Sequence, residues 1–598
     1  MNKEELGKLS PDELITLSES DTSSFKYDRY YLYQIAFDKY KSSGQSDKME
    51  NMSREMRVLL LSTHSTERRF SPKWTSKSED GNEAGFPDLD KDFPDNAIEY
   101  YKERITNTKN PILKARYCDV IWEKKRDHVY GRNAINSYLS CCPLYFSNGW
   151  DKELVDCLTR AISISCMLND QPLIDLSIES HFATIKALAN ERRWHCISDI
   201  IDSIINNASK CSKDVDYNYL LEISELAIKE IAENETDSFY FQRAFMGSIA
   251  NICSIQKNNS GLLQTKVRIA ETYVEEGDWK KIHYPSGNLV AGSFYTSALK
   301  EYMNIGGFES KVDELKMKIA EANNTATKTE LKPISTEIAI PIEPLKKHIE
   351  AYENKGIEEI YTIMSIDKNL LPSYEATMKL AIESAKEFVL MHLMPFSIMK
   401  GNIQIKSISG EQEKLEYQAI QNFQISYRTF STRLIGMLFS VLETKTPNYL
   451  DDLARFLAKS EIISSERIEI IKCGLRAYGN KEYVAAFHIL IFQIEGILRD
   501  FLGKLGLPTF SYRNNEMRER QLDDILKTLS QVRGFDADLE KFLEIFLCRI
   551  EADNYRNEAA HGLLNIATFT KENCQLLLLS LIKLVPYSVI VNKQENAA

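Results

Sequence analysis

The chain has 598 residues, 43% hydrophobic and 27% charged, with 24 glycines, 16 prolines and a formal net charge of −12. That length exceeds one hydrophobic core and calls for three or four units of roughly 100–200 residues. The acidic balance excludes a protein that coats nucleic acid non-specifically, because such binding rests on Lys and Arg neutralising phosphates, and the low Gly and Pro content favours helices over sandwiches or barrels.

Residues 1–110 form an N-terminal helical and irregular region. A helix starts at Pro11 behind a Ser10 cap, and Ser71-Pro72-Lys73-Trp74 through Phe93-Pro94 reads as loop. Met1-Asn2-Lys3-Glu4-Glu5 leads into no apolar run, and the eleven cysteines include no C-x-x-C. The cysteines therefore read as reduced core residues of a cytoplasmic protein.

From residue 111 to 320 the apolar positions recur at helical spacing between short turns. Ala115–Leu139 spans two helices, Ile269–Val274 ends at Glu276-Gly277-Asp278, and the helix Ala291–Tyr302 is stopped by Gly306-Gly307. Helix pairs with Ala and Tyr at their contacts resemble a tetratricopeptide-like helical repeat without a strict period, and such an array would offer a surface for a protein partner. Ala322–Thr329 is polar and is followed by Pro333, Pro341 and Pro344, which places a linker at 321–344.

A middle helical domain, 345–459, follows. Its stretch Gly401–Gly410 alternates apolar and polar residues as a small hairpin would. The last unit, 460–598, reads as four to five amphipathic helices: Ser465–Tyr478, Lys481–Leu505, Gln521–Ser530, Asp538–Arg556 and Thr570–Leu584. The apolar run Cys574–Val591 is interrupted by Lys583 and Pro586 and reads as a buried last helix, not a membrane span.

Just before that helix lies Arg556-Asn557-Glu558-Ala559-Ala560-His561-Gly562. Residues five apart sit about 140° apart on an ideal helix, so Arg556 and His561 share a pocket only if the helix ends between them, with Gly562 as terminator. Metal-free RNA cleavage requires the 2′-hydroxyl to lose a proton, the 5′-oxygen to gain one and the phosphorane charge to be held. Histidine suits the proton transfers and the always-charged arginine fork suits the phosphate, with Asn557 orienting phosphate or imidazole. A plain helix end explains the same residues, because cations favour a helix C-terminus and Ala559-Ala560 pack small.

The motif resembles the R-x4-6-H signature of the HEPN superfamily. Together with Phe487–Arg499 it resembles the HEPN-like domain of unknown function numbered 4209, and Ala115–Leu139, with Trp122, is similar to the domain commonly found in front of it. The resemblance implies a C-terminal four-to-five-helix bundle that forms a homodimer and a metal-independent ribonuclease. It implies Arg556, Asn557 and His561 as catalytic residues, RNA as substrate, and use in toxins or antiviral defence such as abortive infection. Leu563 stands where some HEPN toxins carry a modified tyrosine, so neutralisation by adenylylation there is not expected. The fold class is thus all-α, a helical-repeat front half followed by a HEPN-like bundle.

Glu495 and Arg499 are four apart on an apolar helix. They read first as a register-fixing ion pair and second as support for Arg556 or His561. Tyr512, Arg513, Arg518 and Arg520 form the best basic and aromatic cluster for RNA. Residues 461–598 nevertheless carry 17 Lys+Arg against 19 Asp+Glu, a net of −2, and Glu516 and Glu519 favour a solvated connection. The singletons His195 and His488 read as packed or hydrogen-bonded. No metal-ligand spacing, Walker loop or G-x-G-x-x-G is present, so neither metal nor cofactor is called for. The rival to the nuclease is a non-catalytic scaffold whose repeats bind a partner while the bundle dimerises.

Overall fold

The computed structural model describes residues 3–20, 26–62, 70–77, 83–332, 337, 339–388, 396–400, 403–513 and 516–589. Among them helices dominate and three antiparallel two-stranded hairpins interrupt them, so the class is all-α. The chain forms two compact units, Met1–Ala326 and Thr327–Ala598, and the break between them falls within the 321–344 segment read from the sequence as a linker.

In the first unit, the helix Pro11–Ser20 opens with a reciprocal cap: the Ser10 N–H donates to Glu13 Oε2 at 2.7 Å and the Glu13 N–H to Ser10 Oγ at 3.3 Å. The helix Pro111–Lys125 is capped by Asn110, whose Oδ1 accepts from the amides of Ile112 and Leu113. One face (Leu113, Tyr117, Ile121) packs into the core of the preceding helices and another (Ala115, Cys118, Trp122) into the core that follows. A helix buried on both sides cannot be a boundary, so the cut at 110 disappears. Beyond it successive helices pack on their neighbours, at lengths from 11 to 25 residues.

Charge is buried inside this unit. Arg160 Nε and Nη2 donate to Asp119 at 2.8 and 2.6 Å, with side chains 2% and 0% exposed, while the Tyr138 hydroxyl donates to Asp119 and Arg160 also reaches Glu123. His181 joins two helices: Nδ1 lies 2.7 Å from the Ser177 carbonyl and Nε2 3.0 Å from the Ser203 hydroxyl. A carbonyl only accepts, so Nδ1 carries the proton and Nε2 accepts from Ser203. Burial lowers the His181 pKa from its usual 6.5 to about 4.

Three expectations for this unit change. The segment read as loop holds a hairpin, Trp74–Lys77 against Glu83–Phe86, with the Trp74 and Phe86 rings stacked 6.2 Å apart. Gly277 ends nothing: it lies within the helix Asn259–His283, where a Cβ would stand 2.6 Å from the Tyr295 ring, so glycine serves close helix approach. Ala322–Thr329 is the end of the helix Glu309–Thr329, not linker, because Ala322 and Ala326, one turn apart, are fully buried.

The second unit is built on one core running from Ile349 to Leu584, so the proposed cut at 459/460 also falls inside a single core. The helix Lys571–Leu584 is buried at every position from Asn573 to Leu584. Each such leucine is worth about 1.5–3 kcal/mol by burial, which is why this apolar run sits at the centre of the unit. Among the described residues, no helix is long and apolar enough to cross a membrane. All eleven cysteines are free, and Cys473 departs from the core reading by being exposed.

The expected hairpin exists with a different centre. Its strands are Phe396–Lys400 and Ile403–Ile408, so residues 401–402, outside the described set, lie between the strands instead of opening the first one. The helix expected over Asp538–Arg556 breaks in two, Ala537–Leu547 and Tyr555–His561. Asn554 takes a left-handed conformation, φ 52°, at the start of the second.

Candidate active site

The seven-residue helix Tyr555–His561, the motif helix, is held by a polar network around the chain leading into it. Arg428 Nη2 donates to Asp553 Oδ2 at 2.5 Å and to the Tyr555 hydroxyl at 2.7 Å, and Arg428 also bonds Asn573. The Tyr427 hydroxyl and Gln424 Nε2 donate to the same Asp553 carboxylate. Tyr427 and Arg428 stand on a π-helical turn, Tyr427–Ser431, between the helices Glu411–Ser426 and Thr432–Lys445. The extra residue in that turn is a usual way to re-aim side chains at a functional site.

Gly562, at φ 68°, ends the motif helix as anticipated. The helix nevertheless runs through both Arg556 and His561 instead of stopping between them. Both still line one cleft of about 810 Å³, together with Asn557, Glu558, Cys548, Ile550, Leu563, Asn565 and Gln521. The long arginine stem makes this compatible with the helical angle.

Arg556 is anchored from below by the helix Tyr483–Lys504. Its Nε and Nη2 donate to Glu495 Oε2 and Oε1 at 2.5 and 3.1 Å, and Nη1 donates to Asn557 Oδ1 at 3.1 Å. Glu495 thus contacts both arginines, for Arg499 Nη2 also donates to Glu495 Oε1 at 2.8 Å. One carboxylate, 10% exposed, bridges two guanidinium groups. Arg556 is 23% exposed, and three of its five N–H donors are engaged in these bonds.

Asn557 departs from its expected role. Its Nδ2 donates to Asn554 Oδ1 at 2.7 Å and to the Cys548 carbonyl at 3.3 Å, so the amide ties the preceding loop and steadies Arg556, not the imidazole. His561 is exposed in the last helical turn, and its imidazole makes no hydrogen bond among the described residues. Burial pushes the Cys548 thiol well above its ordinary value, so this cleft residue is no thiolate nucleophile.

The cluster Tyr512, Arg513, Arg518, Arg520 sits on a hairpin, Phe510–Arg513 against Glu516–Glu519. Arg518 pairs with Glu516 at 2.6 Å, and Arg520 is spent on the Pro508 and Asp524 carbonyls and the Thr528 hydroxyl. Tyr512 is 66% exposed, and the Arg513 side chain lies outside the described residues. Tyr512, Arg518 and Arg520 are not among the residues that line the cleft. His195 pairs with Glu235 at 3.1 Å and His488 Nδ1 with the Val484 carbonyl at 2.8 Å, as read. No cluster of three or more potential metal ligands occurs among the described residues.

Sequence reasoning missed Lys400, which lines the cleft from the hairpin Phe396–Ile408 and pairs with Glu558 of the motif helix. The same hairpin brings Ile403 and Ile405 to the cleft, and its Lys406 pairs with Glu551 at 3.3 Å. The alternation that marked this arm was visible; nothing in it pointed to its neighbour.

A family model described as Domain of unknown function (DUF7380) matches residues 1–177. That span takes in Ala115–Leu139 and gives it a description of its own, and it ends well before the cleft. No curated protein and no solved structure matches the chain.

Proposed function

We propose that the second unit is a metal-independent endoribonuclease of HEPN type. The observation that supports this most is the convergence of Arg556, Asn557 and His561 on one open cleft, with Arg556 anchored by Glu495. His561 takes the proton from the 2′-hydroxyl as that oxygen attacks the adjacent phosphorus, and Arg556 holds the charge on the non-bridging oxygens. The departing 5′-oxygen needs an acid. A second copy of the chain supplies it in a homodimer, each protomer contributing one His561. The products carry 2′,3′-cyclic phosphate and 5′-hydroxyl ends. A toxin or antiviral effector that attacks exposed single strands is the biological role that the HEPN resemblance suggests.

The competing reading, a non-catalytic scaffold, draws support from the same anchor, for Glu495 neutralises much of the Arg556 charge that a phosphate would meet. Induction of the wild-type chain beside His561→Ala decides between them. Growth arrest and RNA loss restricted to the wild type carry the nuclease; two equally harmless proteins that leave total RNA intact carry the scaffold.

A further inference from the structure

Lys400 reaches the motif from a different element, and its position is more specific than a surface lysine's. Its partner Glu558 and the motif's His561 are three residues apart on one helix and so share a face. The ion pair therefore holds the Lys400 ammonium on the histidine side of the cleft, whereas Arg556 is drawn down to Glu495. The same cleft is lined by the aliphatic Ile403, Ile405, Ile550 and Leu563 beside the polar Gln521, Asn554 and Asn565. A chain of alternating charge and flat apolar surface suits that layout, with phosphates meeting the two cations and a base covering the isoleucines.

Resting on the nuclease reading, we propose that Lys400 is a substrate-binding residue that contacts a phosphate next to the scissile one, so that the cleft takes single-stranded RNA and not a lone nucleotide. Lys400 is 37% exposed and Glu558 13%, so water, and with it a phosphate, reaches the ammonium. The ammonium has three donors, enough to keep Glu558 while meeting the phosphate. The arm hairpin is then a working wall of the site, held there by Lys406 on Glu551 and by the packing of Phe396 against Tyr417, ring centres 5.2 Å apart.

The alternative is that Lys400 only neutralises Glu558, and a double-mutant cycle separates the two. Binding of a labelled twelve-nucleotide single-stranded RNA is measured against salt on full-chain protein carrying His561→Ala, which prevents cleavage. Each phosphate contact contributes about 0.7 to the slope of log affinity against log salt for single strands. The expected result is that Lys400→Ala lowers that slope by about 0.7 both alone and in a Glu558→Gln background, while Glu558→Gln alone leaves it unchanged. A Lys400→Ala effect that vanishes in the Glu558→Gln background overturns the inference, as does an unchanged slope in both. RNA binding that ignores Lys400 leaves the nuclease reading intact, whereas no RNA binding by any of the proteins removes both. Unaltered thermal unfolding of each variant excludes misfolding as the cause.

Discussion

Arg160 in the first unit and Arg556 in the second make the same fork, Nε and Nη2 onto the two oxygens of one carboxylate, in opposite surroundings. The Arg160–Asp119 pair is sealed at 2% and 0% exposure, with Tyr138 and Glu123 filling the remaining positions. The Arg556–Glu495 pair sits at 23% and 10% on the floor of an open cleft, with Arg499 as third member. Identical chemistry thus stands in two settings. A sealed pair has been desolvated once for all and no ligand can replace its partner, so it fixes packing. A pair that water reaches can share its donors with an arriving anion.

Breaking the sealed pair should have the largest effect. Arg160→Met leaves Asp119 buried and uncompensated, at about 3–5 kcal/mol of stability, seen as faster hydrogen exchange across Asp151–Leu168. RNA cleavage per folded molecule should not change. A loss below about 1 kcal/mol would mean that the pair behaves like an exposed one.

Arg556→Ala should cost about 2.7–4 kcal/mol in the cleavage barrier, a rate loss of 10²–10³, with little loss of fold because Glu495 keeps Arg499. Arg556→Lys retains charge without the fork and should recover only part of the rate. Strong unfolding by Arg556→Ala would place this pair in the same class as Arg160–Asp119.

Acid should weaken the first unit through His181. The folded state holds it neutral, with its pKa lowered from 6.5 to about 4, so the unfolded chain binds the extra proton first. Its contribution is complete above pH 6.5 and is lost as pH falls from 6.5 to 4, reaching about 3 kcal/mol. The protection factors of amides in Gln171–Asn190, the intrinsic exchange rate at each pH divided by the observed one, should fall from pH 7.5 to 4.5 in the wild type and change less in His181→Gln.

The smallest effect belongs to Asn557. Alanine there removes the ties to Asn554 and Cys548, worth about 1 kcal/mol, and should lower kcat while leaving KM unaltered. A loss matching that of His561→Ala would return Asn557 to a direct catalytic role.

Local signals carried much of this. The Ser10–Glu13 cap, the Gly562 stop and the alternation in the arm are written in adjacent residues, and so is the spacing of Arg556 and His561. Most of what failed depended on partners distant in sequence, the local Asn554–Asn557 bond excepted. Periodicity from Asp538 onward masked the break before Asn554, whose left-handed backbone is bought by side-chain ties to Asn557. Gly277 looked like punctuation until Tyr295 packed on it. Polarity in Ala322–Thr329 hid two buried alanines. Glu495 under Arg556 and Lys400 beside Glu558 are meetings across the fold, and no spacing announces them.

The ends left on cleaved RNA test the central claim most directly. Full-chain protein with RNA in the presence of a chelator should yield 2′,3′-cyclic phosphate and 5′-hydroxyl ends, and His561→Ala should yield none. Products with 3′-hydroxyl and 5′-phosphate ends, or cleavage that survives His561→Ala, would contradict it.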